Sequence, residues 1–244
     1  MKCRTLLLAA LALATTGCGP FEGAPGRPSP DSRVIPPSEI MDFDLLYGKS
    51  CAGCHGPHGR GGAAIGVGDP VYLSIADDAA IFHVTAEGVP GTAMPAFAQT
   101  SGGMLTTKQI DAIIGGMRAS WGGSAALDTV DPPSYRAQTP GDPKRGAKAY
   151  AFFCSSCHGS EGRGGTASSI VDGSYLALVS DQGLRTIVIV GRPELGAPDW
   201  RGNVPHHPMS SEDVSDVVAW LAEQRPRFPG QPYASAQRTA GEPQ

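Results

Sequence analysis

Apolar residues fall at helical spacing in a few stretches, set apart by runs of glycine, proline and polar residues. Over Ser38 to Gly48, the residues Ile40, Phe43, Leu46 and Tyr47 share one face, which predicts a helix. Residues 79–87 predict a second, shorter one. From Thr106 onward, a threonine cap is followed by Ile110, Ile113, Ile114 and Met117 at steps of three and four, which predicts an amphipathic helix. Ser210 to Leu221 has the same plan, and its opening reads as a capping box. Between these stretches, residues 56–68 read as a glycine-rich loop and residues 88–97 as a loop punctuated by Pro90 and Pro95.

The pattern occurs twice. A shift of 103 carries Tyr47 to Tyr150, Tyr72 to Tyr175, Leu73 to Leu176, Asp78 to Asp181, Gly88 to Gly191, Pro95 to Pro198 and Phe97 to Trp200. Two homologous domains follow, at 38–120 and 144–226. The stretch 121–143 between them, rich in Gly and Pro, reads as a linker on which Trp121 and Tyr135 pack back against a module.

Each copy carries its chemistry at the end of its first helix. Cys51-Ala52-Gly53-Cys54-His55 recurs as Cys154-Ser155-Ser156-Cys157-His158, each followed by glycine and a Gly-Arg-Gly-Gly run. Cys-x-x-Cys-His is the attachment motif of c-type haem. Two thiols one helical turn apart can each take one vinyl group, and the adjacent imidazole is then held over the iron. The rival readings are a redox-active dithiol, which belongs near a βαβ pattern, and a zinc site, which wants four ligands spread around a tetrahedron. Neither suits three ligands bunched within five residues. The expected cofactors are therefore two covalently bound haems, with Cys51, Cys54, Cys154 and Cys157 as attachment points and His55 and His158 as proximal iron ligands.

Composition narrows the function. At 41% hydrophobic and 17% charged residues the chain is globular, and its net charge of −4 leaves no basic stripe for nucleic acid. Seven Phe, six Tyr and three Trp are a modest supply for two small cores, which a buried porphyrin would complete. Only Cys3 and Cys18 remain. Lys2 and Arg4, the apolar run 6–14 and the small residues ending at Gly17-Cys18 form an export signal over 1–17, too short to span a membrane. Ala14-Thr15-Thr16-Gly17-Cys18 resembles a bacterial lipoprotein box, with Cys18 as the lipidated residue. Residues 18–37 then read as a Pro/Gly-rich tether and 227–244 as a disordered tail.

Helix, Cys-x-x-Cys-His-Gly, Gly-Arg-Gly-Gly loop, Met94-Pro95-Ala96-Phe97 and a capped last helix together resemble class I cytochrome c, and the whole resembles exported dihaem cytochromes c of bacterial respiratory chains. The resemblance implies an all-α fold of two tandem domains, each a few helices around a haem, with Met94 as distal ligand of the first iron. It implies electron transfer between a quinol-oxidising complex and a terminal oxidase or reductase, at the periplasmic side of a membrane. Met104 and Met117 read as core.

Met94 stands 39 residues after His55, and the same step from His158 reaches Ala197, which cannot bind iron. Met209, His207 and His206, in a loop with one inserted residue, are the candidate substitutes. Met209 also aligns with Leu105 as an apolar staple. The alternative function is a haem enzyme, peroxidase-like or thiosulfate dehydrogenase-like, that reacts at the second haem.

Overall fold

The structure is a computed structural model and describes residue 32 and residues 34–122 and 131–226. The expected signal segment, the lipidated Cys18, most of the tether and the tail lie outside the described residues. Met1–Glu39 separates as one unit, whose described part ends in a 3-10 turn, Pro37–Glu39. Ile40–Gln244 forms the other, and holds both copies of the repeat.

All regular secondary structure among the described residues is helical, apart from two isolated β-bridges. The first copy comprises α1 (Phe43–Ser50), α2 (Ala52–His55), α3 (Pro70–Ile75), α4 (Asp78–Glu87) and α5 (Thr107–Trp121). The second comprises α6 (Pro143–Phe153), α7 (Ser155–His158), α8 (Gly173–Leu178), α9 (Asp181–Val190) and α10 (Ser211–Glu223). α5 packs on α1 and α4, and α10 packs on α6 and α9 in the same roles.

The first helix starts at Phe43, five residues later than the periodicity suggests. Asp42 stops it short, because its carboxylate accepts the Leu45 N–H at 2.8 Å and so satisfies a donor of the first turn. Ile40 stays outside the helix, packed on the core, with its carbonyl taken by Gln109 Nε2 at 3.0 Å. α3 and α8 are additions to the predicted set. Each is capped by an aspartate, Asp69 or Asp172, whose side chain accepts a backbone N–H of the first turn.

The cap expected at Thr106 forms and is a full capping box, with Thr106 and Gln109 reciprocating at the start of α5, and the box expected at Ser210 forms with Asp213 at the start of α10. Thr106→Ala and Ser210→Ala should each lower stability by about 1 kcal/mol, read as a fall in denaturant midpoint at unchanged slope.

Trp121 ends α5, so the helix reaches into the stretch read as linker. Its ring meets Tyr47 at 4.8 Å and Phe43 at 5.2 Å, edge to face. In the second copy Trp220 stacks on Tyr150 at 4.2 Å. Met117 is core, as expected, but Met104 is 82% exposed on the turn before α5 and contributes nothing to it.

The buried apolar residues make one cluster that runs through both copies. α3 meets α9, and Tyr135 of the connecting stretch lies 6.4 Å from Tyr72, ring centre to ring centre.

Candidate haem-attachment sites

α1 runs through Tyr47 into Cys51, whose N–H donates to Tyr47 O at 2.8 Å, and a single further turn, α2, brings Cys54 and His55 round. The chain then reverses at Gly56 with φ +84°, a conformation only glycine adopts without strain. Tyr47 Oη locks the reversal by donating to Gly56 O at 2.9 Å. The second copy repeats it: Gly159 has φ +77° and its carbonyl accepts Tyr150 Oη.

The glycine-rich loop closes tightly over this turn. A side chain on Gly62 would overlap Cys54 O and Gly56 N, and one on Gly165 would overlap Cys157 O. This close approach carries the loop to Ile65, whose carbonyl faces His55 Nδ1 at 2.8 Å. His158 Nδ1 faces Ser168 O at 2.7 Å, the same position after the shift of 103. A ring protonated at Nδ1 by this contact presents the Nε2 lone pair, the arrangement that fixes and strengthens an imidazole ligand. Burial holds the His55 pKa down against the opposing effect of the Ile65 carbonyl, which keeps the ring neutral.

The thiols are unpaired in both copies, with Cys51 and Cys154 half-buried and Cys54 and Cys157 exposed. Burial, helped by the neighbouring thiol, pushes Cys51 and Cys154 up to about 11. Among the described residues no three His, Cys, Asp or Glu side chains converge on a metal position. Two separated thiols beside a tethered imidazole are the donor set of covalently held haem, and these residues fit it.

In the loops after α4 and α9 the two copies share a backbone hydrogen bond and differ in side chain. Val89 N–H donates to Met94 O at 3.0 Å, and Arg192 N–H donates to Ala197 O at 2.9 Å. Ala197 therefore occupies the place of Met94, as the shift of 103 predicts. Met209 takes the place of Leu105: its N–H donates to Trp200 O at 2.9 Å, as that of Leu105 does to Phe97 O at 2.7 Å. It is 2% exposed, and its sulfur faces the Asn203 amide at 3.7 Å. His206 is exposed and has φ +62°, the one non-glycine residue with positive φ among those described. His207 is exposed too; its Nδ1 lies 3.0 Å from Pro205 O and its ring meets Phe152, two residues before Cys154, at 5.9 Å.

An arginine clamp, which sequence reasoning missed, closes the α3–α4 corner of the first copy and the α8–α9 corner of the second. Arg118 donates to Leu73 O, to Ala76 O at 2.6 Å and to Asp78 Oδ1 at 2.8 Å. Arg225 donates to Leu176 O at 2.8 Å and Val179 O at 2.9 Å, and pairs with Asp181 at 2.9 Å. The six acceptors correspond under the shift of 103; the arginines do not.

Residues 39–115 and 141–221 match the family described as cytochrome c oxidase, cbb3-type, subunit III. The chain belongs to that family. The paired match falls on the two copies, and family membership carries covalently attached haem c and electron transfer with it. The cytochrome bc1 complex cytochrome c subunit of Mycobacterium tuberculosis is 27% identical over 177 residues, which cover 72% of this chain and 60% of that protein. The corresponding subunit of Corynebacterium diphtheriae is 25% identical over 227 residues, covering 87% of this chain and 76% of that one. The chain thus spans about 60% of the length of the mycobacterial relatives. A chain of the Kuenenia stuttgartiensis reducing HAO-like protein complex superposes at a TM-score of 0.41 with 18% identity, over 77% of this chain and 98% of that one, a likeness too distant to bear on function. Among the described residues no helix is long and apolar enough to cross a membrane.

Proposed function

We propose that this chain is an exported dihaem cytochrome c, held by a lipid on Cys18 at the periplasmic side of a bacterial membrane. It passes electrons between a quinol-oxidising complex and a terminal oxidase or reductase. Similarity to bc1-complex cytochrome c subunits favours a permanent subunit over a free shuttle. The observation that carries the dihaem reading is the duplicated site: two Cys-x-x-Cys-His turns, each with its imidazole Nδ1 set against the equivalent carbonyl, at 2.8 and 2.7 Å.

In this reading Cys51 and Cys54 anchor the first haem, Cys154 and Cys157 the second, and His55 and His158 are the proximal ligands. Bound haem supplies a one-electron iron couple, which the protein tunes through its ligands and the polarity around them. Met94 serves as the first distal ligand, and a thioether there favours the ferrous form. For the second centre the assignment is His207. Its Nδ1 rests on the Pro205 carbonyl of its own loop, which leaves Nε2 free to bind, and its ring meets Phe152, two residues before Cys154. Met209 is less suited, because it fills the core position of Leu105.

Quantifying haem c by its pyridine haemochrome in the purified full-length chain tests the reading. Two haems per chain are expected, falling to one in Cys154→Ser/Cys157→Ser with the first centre's spectrum intact. A value of one in the unaltered protein would overturn it.

A further inference from the structure

The loop that orients His55 is held from the second copy. Arg192 Nη2 donates to Gly62 O at 2.7 Å, while its Nε pairs with Glu194 at 2.6 Å. The Arg192 side chain is half-buried at 18% exposure, and Glu194 sits at the surface beside it with its side chain 25% exposed. Burial would raise the Glu194 pKa, but the hydrogen bond from Arg192, with backbone hydrogen bonds, outweighs that and holds the carboxyl below its ordinary value. Arg192 thus holds the loop at Gly62, and Glu194 fixes the guanidinium that does so.

The position of the grip matters more than its strength. Arg192 and Ala197 exchange both backbone hydrogen bonds, at 2.9 and 3.1 Å, so the pair sits on the hairpin that forms the second copy's distal side. Gly62 packs against Cys54 O, and Ile65, three residues on, supplies the carbonyl to His55 Nδ1. At the corresponding positions of the first copy stand Val89 and Gly91, so only the second copy has the pair.

We propose that Arg192 and Glu194 are positioning residues for His55, through which the distal hairpin of the second copy sets the proximal side of the first. The inference rests on the reading that each copy binds a haem. A carbonyl held firmly against Nδ1–H makes the imidazole a stronger donor through Nε2, and a stronger donor favours ferric iron. Releasing the loop weakens that contact and raises the first centre's potential.

The test is Arg192→Gln/Glu194→Gln in the intact holoprotein, which removes one charge of each sign and leaves the net charge unchanged. The expected results are an upward shift of the first centre's potential, followed at its sulfur-to-iron band, and faster amide hydrogen exchange over residues 61–65. Arg192→Lys keeps the charge but loses the planar fork that serves Gly62 and Glu194 together, and should shift the potential in the same direction by less. The proposal is overturned if the double variant leaves both the potential and the exchange unchanged. It is equally overturned if the single Gln variants give equal and opposite shifts that cancel in the double, since that pattern is charge alone. A haem count of two in the variants separates failure of this inference from failure of the dihaem reading.

Discussion

Installing methionine at 197 while removing the imidazole at 207 is expected to bring the second centre's potential up toward that of the first. The backbone is already suitable: Ala197 O accepts Arg192 N–H as Met94 O accepts Val89 N–H, and proline follows in both copies. A methionine side chain at 197 therefore starts from the same place as that of Met94. Axial ligands command a range of roughly 0.8 V in haem potential, and exchanging imidazole for thioether moves along it in the positive direction. The single variants separate the contributions. With His207 as the ligand proposed above, Ala197→Met alone should leave the low-temperature paramagnetic resonance signal of the second centre unchanged. His207→Ala alone should open the iron, so that carbon monoxide binds rapidly to the reduced protein. Full conversion by Ala197→Met alone would show that no histidine was resident, and the second centre would then be an open one suited to the haem-enzyme reading.

The exchange of Met94 for Ala197 was visible in the sequence because both copies keep one spacing from the paired cysteines to the loop that carries these residues. Comparing them position by position exposes Ala197 at once. α5 and α10 were equally legible, since a cap, a box and an apolar stripe are local signals of about a dozen residues. α3 and α8 were not. At six residues each they are too short to show a period, and their one local sign is the aspartate before them. The arginine clamps were hidden for a different reason. Leu73, Ala76 and Asp78 meet their counterparts at 103, but Arg118 and Arg225 stand 107 apart and Trp121 and Trp220 stand 99 apart. The C-terminal parts of the two copies deliver the same side-chain types to the same places from different positions. No fixed shift can find such a substitution, because it preserves contacts rather than alignment. The hold of Arg192 on Gly62 lies wholly outside local pattern, joining residues 130 apart in the chain.

Arg185→Met is expected to destabilise the protein by about 2 kcal/mol, since each buried polar group left without a partner costs roughly 1–3 kcal/mol. Arg185 is 2% exposed and, among the described residues, hydrogen-bonds to no carboxylate. Its guanidinium donates instead to Ser134 O at 2.8 and 3.0 Å, to Ser211 Oγ at 2.7 Å and to Ser215 Oγ at 2.9 Å. Burial lowers its pKa, yet an arginine stays charged at any physiological pH. Methionine removes the cost of burying that charge, which works against the predicted loss. The stranded acceptors decide the sign, because Ser134 O loses both of its arginine donors. Lysine should rescue little, since a point charge cannot serve three serines that a planar fork reaches together. The damage should also spread. Ser134 adjoins Tyr135, whose carbonyl accepts Gln182 Nε2 at 2.8 Å and whose ring lies against Tyr72 of the first copy. Hydrogen exchange around residues 134–136 should therefore quicken along with the fall in denaturant midpoint. A variant as stable as the parent, with unchanged exchange there, would show that the buried charge costs as much as its hydrogen bonds return.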